Sequence, residues 1–250
     1  MKHLKALTIW TLPLMWSAYF LFELLTKRIT NMSIFIANII LIIFLALIGY
    51  LLYEISLKYN YGFSFNTFLK VFIFLMFLDQ GSKIIIKQFF FNDNITIIND
   101  ILYFTPIINT DGSWLNARFN TGISFTILII VNLLALFLFI EIYRYYLHLN
   151  NNTKSFHEDM CFLFIFSGAL CSLIDKLFYG GSLDFMGIGN LFVADIKDIY
   201  INLGMLFFIS SIYKNGYLSS DNNSSFSDDL ISIKKFIYFI KEDLCSLLGK

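Results

Sequence analysis

Apolar runs of membrane-spanning length alternate with short polar links along most of this chain. Residues 7–25 (LTIWTLPLMWSAYFLFELL) form the first, behind Lys2 and Lys5. No small-residue cleavage site follows and the basic link TKRIT comes next, so a retained span is expected, with a signal peptide as the alternative. Residues 33–53 predict a second span of roughly the twenty residues that cross a bilayer's hydrocarbon. After the link SLKYNYGFSFN, a third is expected over 67–91, and it carries Asp79, Gln80, Ser82 and Lys83 inside the apolar run. Three more follow over 123–147, 159–178 and 198–213.

Two segments break the rhythm. Residues 92–122 are rich in Asn, Asp and Gly but contain β-branched runs such as ITII and ILYF, which predict a small β element at the membrane surface. The tail, 214–250, starts polar (KNGYLSSDNNSSFSDD) and ends in the amphipathic LISIKKFIYFIKEDLCSLLGK. That end is expected either to lie along the bilayer surface or to form a helix packed on nothing in particular. The pattern therefore predicts an all-α polytopic membrane protein. An N-terminal extension (1–66) holds two spans, a core (67–213) holds four, and a cytoplasmic tail follows.

Composition agrees. The chain is 58% hydrophobic with 30 phenylalanines and only 2 prolines, more apolar than a soluble domain, where roughly half the residues are apolar. Formal net charge is zero, so no basic field points to nucleic acid. Cys161, Cys171 and Cys245 show no paired spacing and read as packing residues. His3, His148 and His157 are scattered, and there is neither HExxH nor GxSxG, so metalloprotease and hydrolase-elbow chemistry lack support. With the N-terminus inside, the inner segments hold Lys2, Lys5, Lys58, Arg144, Lys154 and five tail lysines, against Lys27, Arg28, Lys87 and Arg118 outside. That excess supports the orientation. It places 92–122 and the link between spans five and six on the same outer face.

That link lies within Ser167–Gly204, which holds Asp175, Asp184, Asp195 and Asp198 among glycines at 180, 181, 187 and 189. Carboxylates near a bilayer are costly and read first as functional. Asp175, followed by Lys176, also fits an interfacial ionic anchor. Asp184 is expected in a Gly-bounded loop beside Phe185. Asp198 opens the last span, where the helix dipole favours its charged form. Two such carboxylates that approach each other cannot both ionise, which makes an acid/base pair. A cation site or a proton relay in a transporter is the rival reading. Asp79 and Lys83, four apart, share a helix face as an ion pair that either orders the bundle or faces substrate. Asn120 and Gly122 stand where the polar loop re-enters the membrane, a place where an asparagine also serves as a helix cap.

Four blocks, in order, resemble the prolipoprotein signal peptidases (signal peptidase II), intramembrane aspartic peptidases of bacteria. DQGSK (79–83) is similar to that family's Asp-Gln-x-Ser/Thr-Lys, and FNTGISF (119–125) to its Asn-x-Gly-Ala-Ala-Phe. SGALCSLIDKLFYGGSLDF (167–185) resembles Gly-Gly-Ala-x-Gly-Asn-x-x-Asp-Arg with the Val-Asp-Phe that follows, and DIYINLG (198–204) resembles Asp-x-x-Ile-x-x-Gly. The resemblance covers about residues 67–213 and leaves the first two spans outside. It implies a four-helix core with 92–122 as a surface cradle. It also implies Asp184 and Asp198 as catalytic pair, Asp175 in support, and Asp79, Lys83 and Asn120 lining the site or holding substrate. The implied reaction cuts a signal peptide just before a diacylglyceryl-cysteine in the bacterial cytoplasmic membrane, with no metal or cofactor. The implied partners are a lipid-modified prolipoprotein and membrane lipids, with the extra spans free to engage a partner of their own.

Three departures stand out. Ser172 replaces the family's Asn, and Lys176 replaces its Arg, keeping the charge but losing the planar fork. Asp195-Ile196-Lys197 replaces Asn-x-Ala. A third carboxylate at 195 is expected to crowd the pair and raise its pKa values, with Lys197 offsetting this. Ala194-Asp195 also echoes the family's Ala-Asp and gives an alternative register pairing Asp184 with Asp195, whereas Ile201 and Gly204 fall at the right steps for Asp198. A paralogue with altered or lost activity and a transport or accessory protein are the competing functions.

Overall fold

After the first, the apolar runs fold as helices that begin where a short polar side chain can satisfy the first backbone N–H groups. In the computed structural model the described residues are 2–247 except 60, 100, 113–115, 117, 118, 120, 152, 190 and 216–225. Helix α1 spans Lys2–Leu25 and α2 spans Met32–Lys58, the latter capped by the Asn31 side chain. The rod α3 starts after a Ser64 cap and runs through Phe65–Met76, a wide turn at Phe77–Gly81, Ser82–Ile85 and a second wide turn at Ile86–Phe90. Helix α4 covers Phe125–Leu149 behind a Ser124 cap. Helix α5 covers Phe156–Ile174 behind a Ser155–Glu158 capping box and ends in a wide turn, Asp175–Tyr179. Helix α6 covers Ile196–Lys214 and α7 covers Phe226–Leu247. Five of these (α1, α2, α4, α5 and α6) are long and apolar enough to cross a membrane. The rod α3 carries Asp79 and Lys83 buried in its middle.

One core joins the extension to the rest. Leu12 of α1, Leu75 of α3, Leu163 and Phe164 of α5, and Leu206 and Phe207 of α6 form a single buried cluster. The α5–α6 contact is close because Gly204 lies against Ile165, where any side chain would collide. Small residues at such contacts let helix backbones approach within a membrane. Cys161 and Cys171 are buried packing residues as expected, while Cys245 is exposed.

The β element is larger than 92–122 alone predicts. Strands β1 (Ile95–Ile98), β2 (Leu102–Asn109), β3 (Ser182–Ile188) and β4 (Phe192–Ala194) form one antiparallel sheet in that order. The aspartate-bearing link thus pairs with the first outer segment, with Ile107 opposite Asp184 and Asn109 opposite Ser182. Asp184 therefore sits in a strand, not in a loop. The β2–β3 ladder slips between Phe104 and Ile107, the stretch that holds Pro106, which has no N–H to give to a ladder. The tail helix α7 packs on the end of α4: Tyr145 meets Phe236 and Phe239 at ring-centroid distances of 5.3 and 5.1 Å, and Arg144 pairs with Asp243 at 2.6 Å.

Candidate active site

The wide turn at Phe77–Gly81 puts Asp79 inside the bundle, where it is fully buried, and Lys83 one turn on is buried with it. The Lys83 ammonium lies 2.9 Å from Asp79, 2.7 Å from Asp175 and 2.7 Å from Asp195. Gln80 bridges Asp79 and Asp175 at 3.0 and 3.1 Å, and the backbone N–H of Lys197 donates to Asp79 at 3.0 Å. Asp79 and Lys83 therefore tie α3 to the ends of α5 and α6. Buried charge is tolerated only with close partners and filled hydrogen-bonding capacity, and each of these groups has several.

A second layer sits on the first. The Ser182 hydroxyl donates to Asp184 at 2.6 Å and lies 3.2 Å from both Asp175 and Asp195. It accepts from the Lys197 ammonium, which also pairs with Asp195 and stands 3.1 Å from Asp175 and 3.8 Å from Asp184. Asn109 donates to the other oxygen of Asp184 at 2.9 Å. Burial pushes the Asp184 carboxyl above its ordinary range, with Lys197 and Ser182 pulling against it. Asp195 goes the other way. Burial opposes its charge, but Lys197 and Lys83 outweigh that and hold it below the ordinary carboxylate range. Asp195 is thus an ion-pair partner of both lysines: Lys197 offsets its charge, as the sequence suggests, and Lys83 adds a second cation.

Above these layers opens a cavity of about 1090 Å³. Asp184 and Asp198 both face it, as do Lys197, Ser172 and Lys176, whereas Asp175 and Asp195 lie behind its wall. Asp195 caps α6 reciprocally with Asp198: the Asp195 N–H donates to the Asp198 carboxylate at 3.1 Å, and the Asp198 N–H to Asp195 at 3.3 Å. Lys176 turns back onto Ser172, reaching its hydroxyl at 2.5 Å and its carbonyl at 3.3 Å. Leu128 and Val131 of α4 form one apolar wall, and Met15, Trp16 and Tyr19 of α1 form part of another. Gly122 stands at the entry to α4 with a left-handed φ of 65° and does not line the cavity. Asn120 lies outside the described residues.

Residues 71–214 match the family described as signal peptidase (SPase) II. The chain belongs to the signal peptidase II family. A lipoprotein signal peptidase of Fusobacterium nucleatum is 31% identical over 148 residues, 56% of this chain and 81% of that protein. One from Microcystis aeruginosa is 28% identical over 146 residues, 55% of this chain and 86% of that protein. Two solved structures described as a bacterial membrane enzyme share the fold at 20% identity. Their TM-scores are 0.51 and 0.50, covering 66% and 65% of this chain and 99% of each of those. The matched region begins inside α3 and leaves α1 and α2 outside it.

Asn109, Ser182, Gln80 and Lys197 complete the polar cluster, and sequence reading picked out none of them as site residues. Gln80 was at least inside a matched block. Asn109 and Ser182 become neighbours only through the β2–β3 register, for which the sequence carries no local sign. Lys197 was visible as a departure from the family's alanine, but its direction into the cluster follows from the Asp195 cap that starts α6.

Proposed function

We propose that this chain is an intramembrane aspartic endopeptidase of the bacterial cytoplasmic membrane, removing signal peptides from lipid-modified prolipoproteins just before the diacylglyceryl-cysteine, with Asp184 and Asp198 as its catalytic pair. The observation that carries the assignment is that these two carboxylates face one cavity, while Asp195, the competitor for the second place, is fully buried between two lysines. The names of the relatives, lipoprotein signal peptidase, support the reaction.

The chemistry follows from the different surroundings of the pair. Asp198 accepts a backbone hydrogen bond at the positive end of α6, a place suited to an anion. Two carboxylates facing one cavity do not both ionise, and Asp184 is assigned the proton they keep. Asp198 takes a proton from water as the water oxygen attacks the scissile carbonyl carbon, and Asp184 gives its proton to the carbonyl oxygen. On collapse, Asp184 recovers that proton as the C–N bond breaks, and Asp198 passes its proton to the departing nitrogen. The apolar walls of the cavity accommodate the diacylglyceryl chains.

The test is complementation in cells depleted of their own lipoprotein peptidase, following a lipidated precursor on gels. The unmutated chain is expected to restore cleavage, and Asp184→Asn and Asp198→Asn to abolish it. Absence of cleavage by the unmutated chain overturns the reading. Cleavage retained by Asp198→Asn but lost in a well-folded Asp195→Asn reassigns the second catalytic position.

A further inference from the structure

Lys197 occupies a place that the pair alone does not require. It is the second residue of α6, it is buried, and its ammonium meets Ser182, Asp175, Asp184 and Asp195 together. Asp195 and Lys197 depart together from the family's Asn-x-Ala, and they are bonded to each other. A buried carboxylate that loses a cation, or a buried ammonium that loses an anion, is destabilised, so each residue offsets the burial of the other, with Lys83 and Asp175 as their remaining partners. Their pairing also carries a cation to within 3.8 Å of Asp184.

We propose that Lys197 is a positioning residue of the peptidase site, its ammonium held by Asp195 and Asp175 so as to anchor Asp184 at the cavity wall through Ser182. The proposal rests on the assignment of Asp184 to the catalytic pair. The charged and titratable groups around Lys197 come from every neighbouring element. They are Asp79 and Lys83 from α3, Asp175 and Lys176 from the end of α5, Asp184 from β3, and Asp195 and Asp198 from the start of α6, with Tyr19 and Arg28 of the α1 side along the cavity. Among them, Lys197 is the cation within ion-pair reach of Asp184. Removing it takes away a charge that favours the carboxylate, so Asp184 holds its proton to higher pH.

The experiment compares purified full-length protein, Lys197→Ala, Asp195→Asn and the double variant, on a lipidated precursor peptide across pH, with Lys197→Arg as the charge-retaining control. Folding of each is checked by thermal unfolding in detergent. Lys197→Ala is expected to lose about tenfold in kcat with little change in KM, and its alkaline limb to move to higher pH. The double variant is expected to recover at least threefold over Lys197→Ala, because the Asp195 charge, left with Lys83 as its remaining cation, is removed along with its partner. Lys197→Arg is expected to keep the limb in place. An infrared titration of the aspartate carboxyls, with the Asp184 band assigned by its loss in Asp184→Asn, reads the same shift without turnover. It therefore decides the proposal even if the unmutated chain cleaves nothing, an outcome that sinks the peptidase assignment alone. An Asp184 titration unmoved in folded Lys197→Ala, or losses that simply multiply in the double variant, would overturn the role of Lys197.

Discussion

At the scale of single residues, the site is a set of carboxylates sorted by what donates to them. Asp184 has an amide, a hydroxyl and a more distant ammonium; Asp195 has two ammonium groups. Hydrogen bonds to a charged acceptor contribute about 1.5–3 kcal/mol. Asn109→Ala removes the donor at 2.9 Å that favours the Asp184 carboxylate. It is expected to cut kcat by about tenfold and to move the alkaline limb upward, measured as a pH–rate profile. Asp195 makes the opposite kind of prediction. Its folded-state pKa is depressed, so its ion pairs stabilise the fold above the unfolded value of about 3.9 and are lost as pH falls through the folded value. Thermal unfolding against pH should show an acid-side loss that Asp195→Asn removes, at the cost of a lower plateau at neutral pH. Asp79 and Lys83 were legible in sequence because a four-residue spacing fixes a shared face locally. Asn109, Ser182 and Lys197 were not, because their meeting depends on strand register and on the direction in which a capped helix starts.

At the scale of elements, the helices were legible and the strand that carries Asp184 was not. Apolar runs of some twenty residues leave a helix almost no competitor in a bilayer, since every backbone polar group must be satisfied internally. SLDFMGI, by contrast, is short, follows two glycines and contains a third, so it reads as a loop until β2 is beside it. The long-range antiparallel pairing of β2 with β3 sets where Asp184 points, and Gly181 is a tight point in it. A Cβ there would stand 2.7 Å from the Asn109 carbonyl oxygen and 2.9 Å from the Ile108 side chain. Gly181→Ala must push β3 away from β2 next to the Asn109–Ser182 pair, an overpacking cost of about 1–3 kcal/mol. The expected outcome is a lower unfolding temperature together with loss of cleavage. Gly180→Ala serves as the comparison: nothing lies within 4 Å of its added Cβ, and its φ of 65° contributes backbone strain alone, so strand displacement is absent there.

At the scale of the whole molecule, α1 packs into the main core, with α2 beside it. Leu12 shares the main core with α3, α5 and α6. The Trp16 indole N–H donates to Asn38 of α2 at 2.9 Å, which fixes the ring, and Trp16 and Tyr19 pack on Phe192 of β4 with centroids 6.3 and 5.5 Å away. Phe192 leads directly into the Asp195 cap, so α1 braces the segment from which α6 and its carboxylates begin. Because Met15, Trp16 and Tyr19 also line the cavity, α1 shapes the space proposed to receive substrate. These rings bear on binding and not on the reacting atoms, so the effects of changing them should separate in the kinetics. A side chain that contributes equally to ground-state and transition-state binding alters KM and leaves kcat unchanged. Trp16→Phe keeps most of the ring and leaves the Asn38 oxygen without its donor, an expected cost of about 1–3 kcal/mol in stability with kinetics nearly intact. Trp16→Ala and Tyr19→Ala open the wall, and KM for a lipidated precursor is expected to rise several-fold while kcat stays within about twofold. A fall in kcat with KM unchanged would instead place α1 in the chemistry, acting through Phe192 on Asp195 and Asp198.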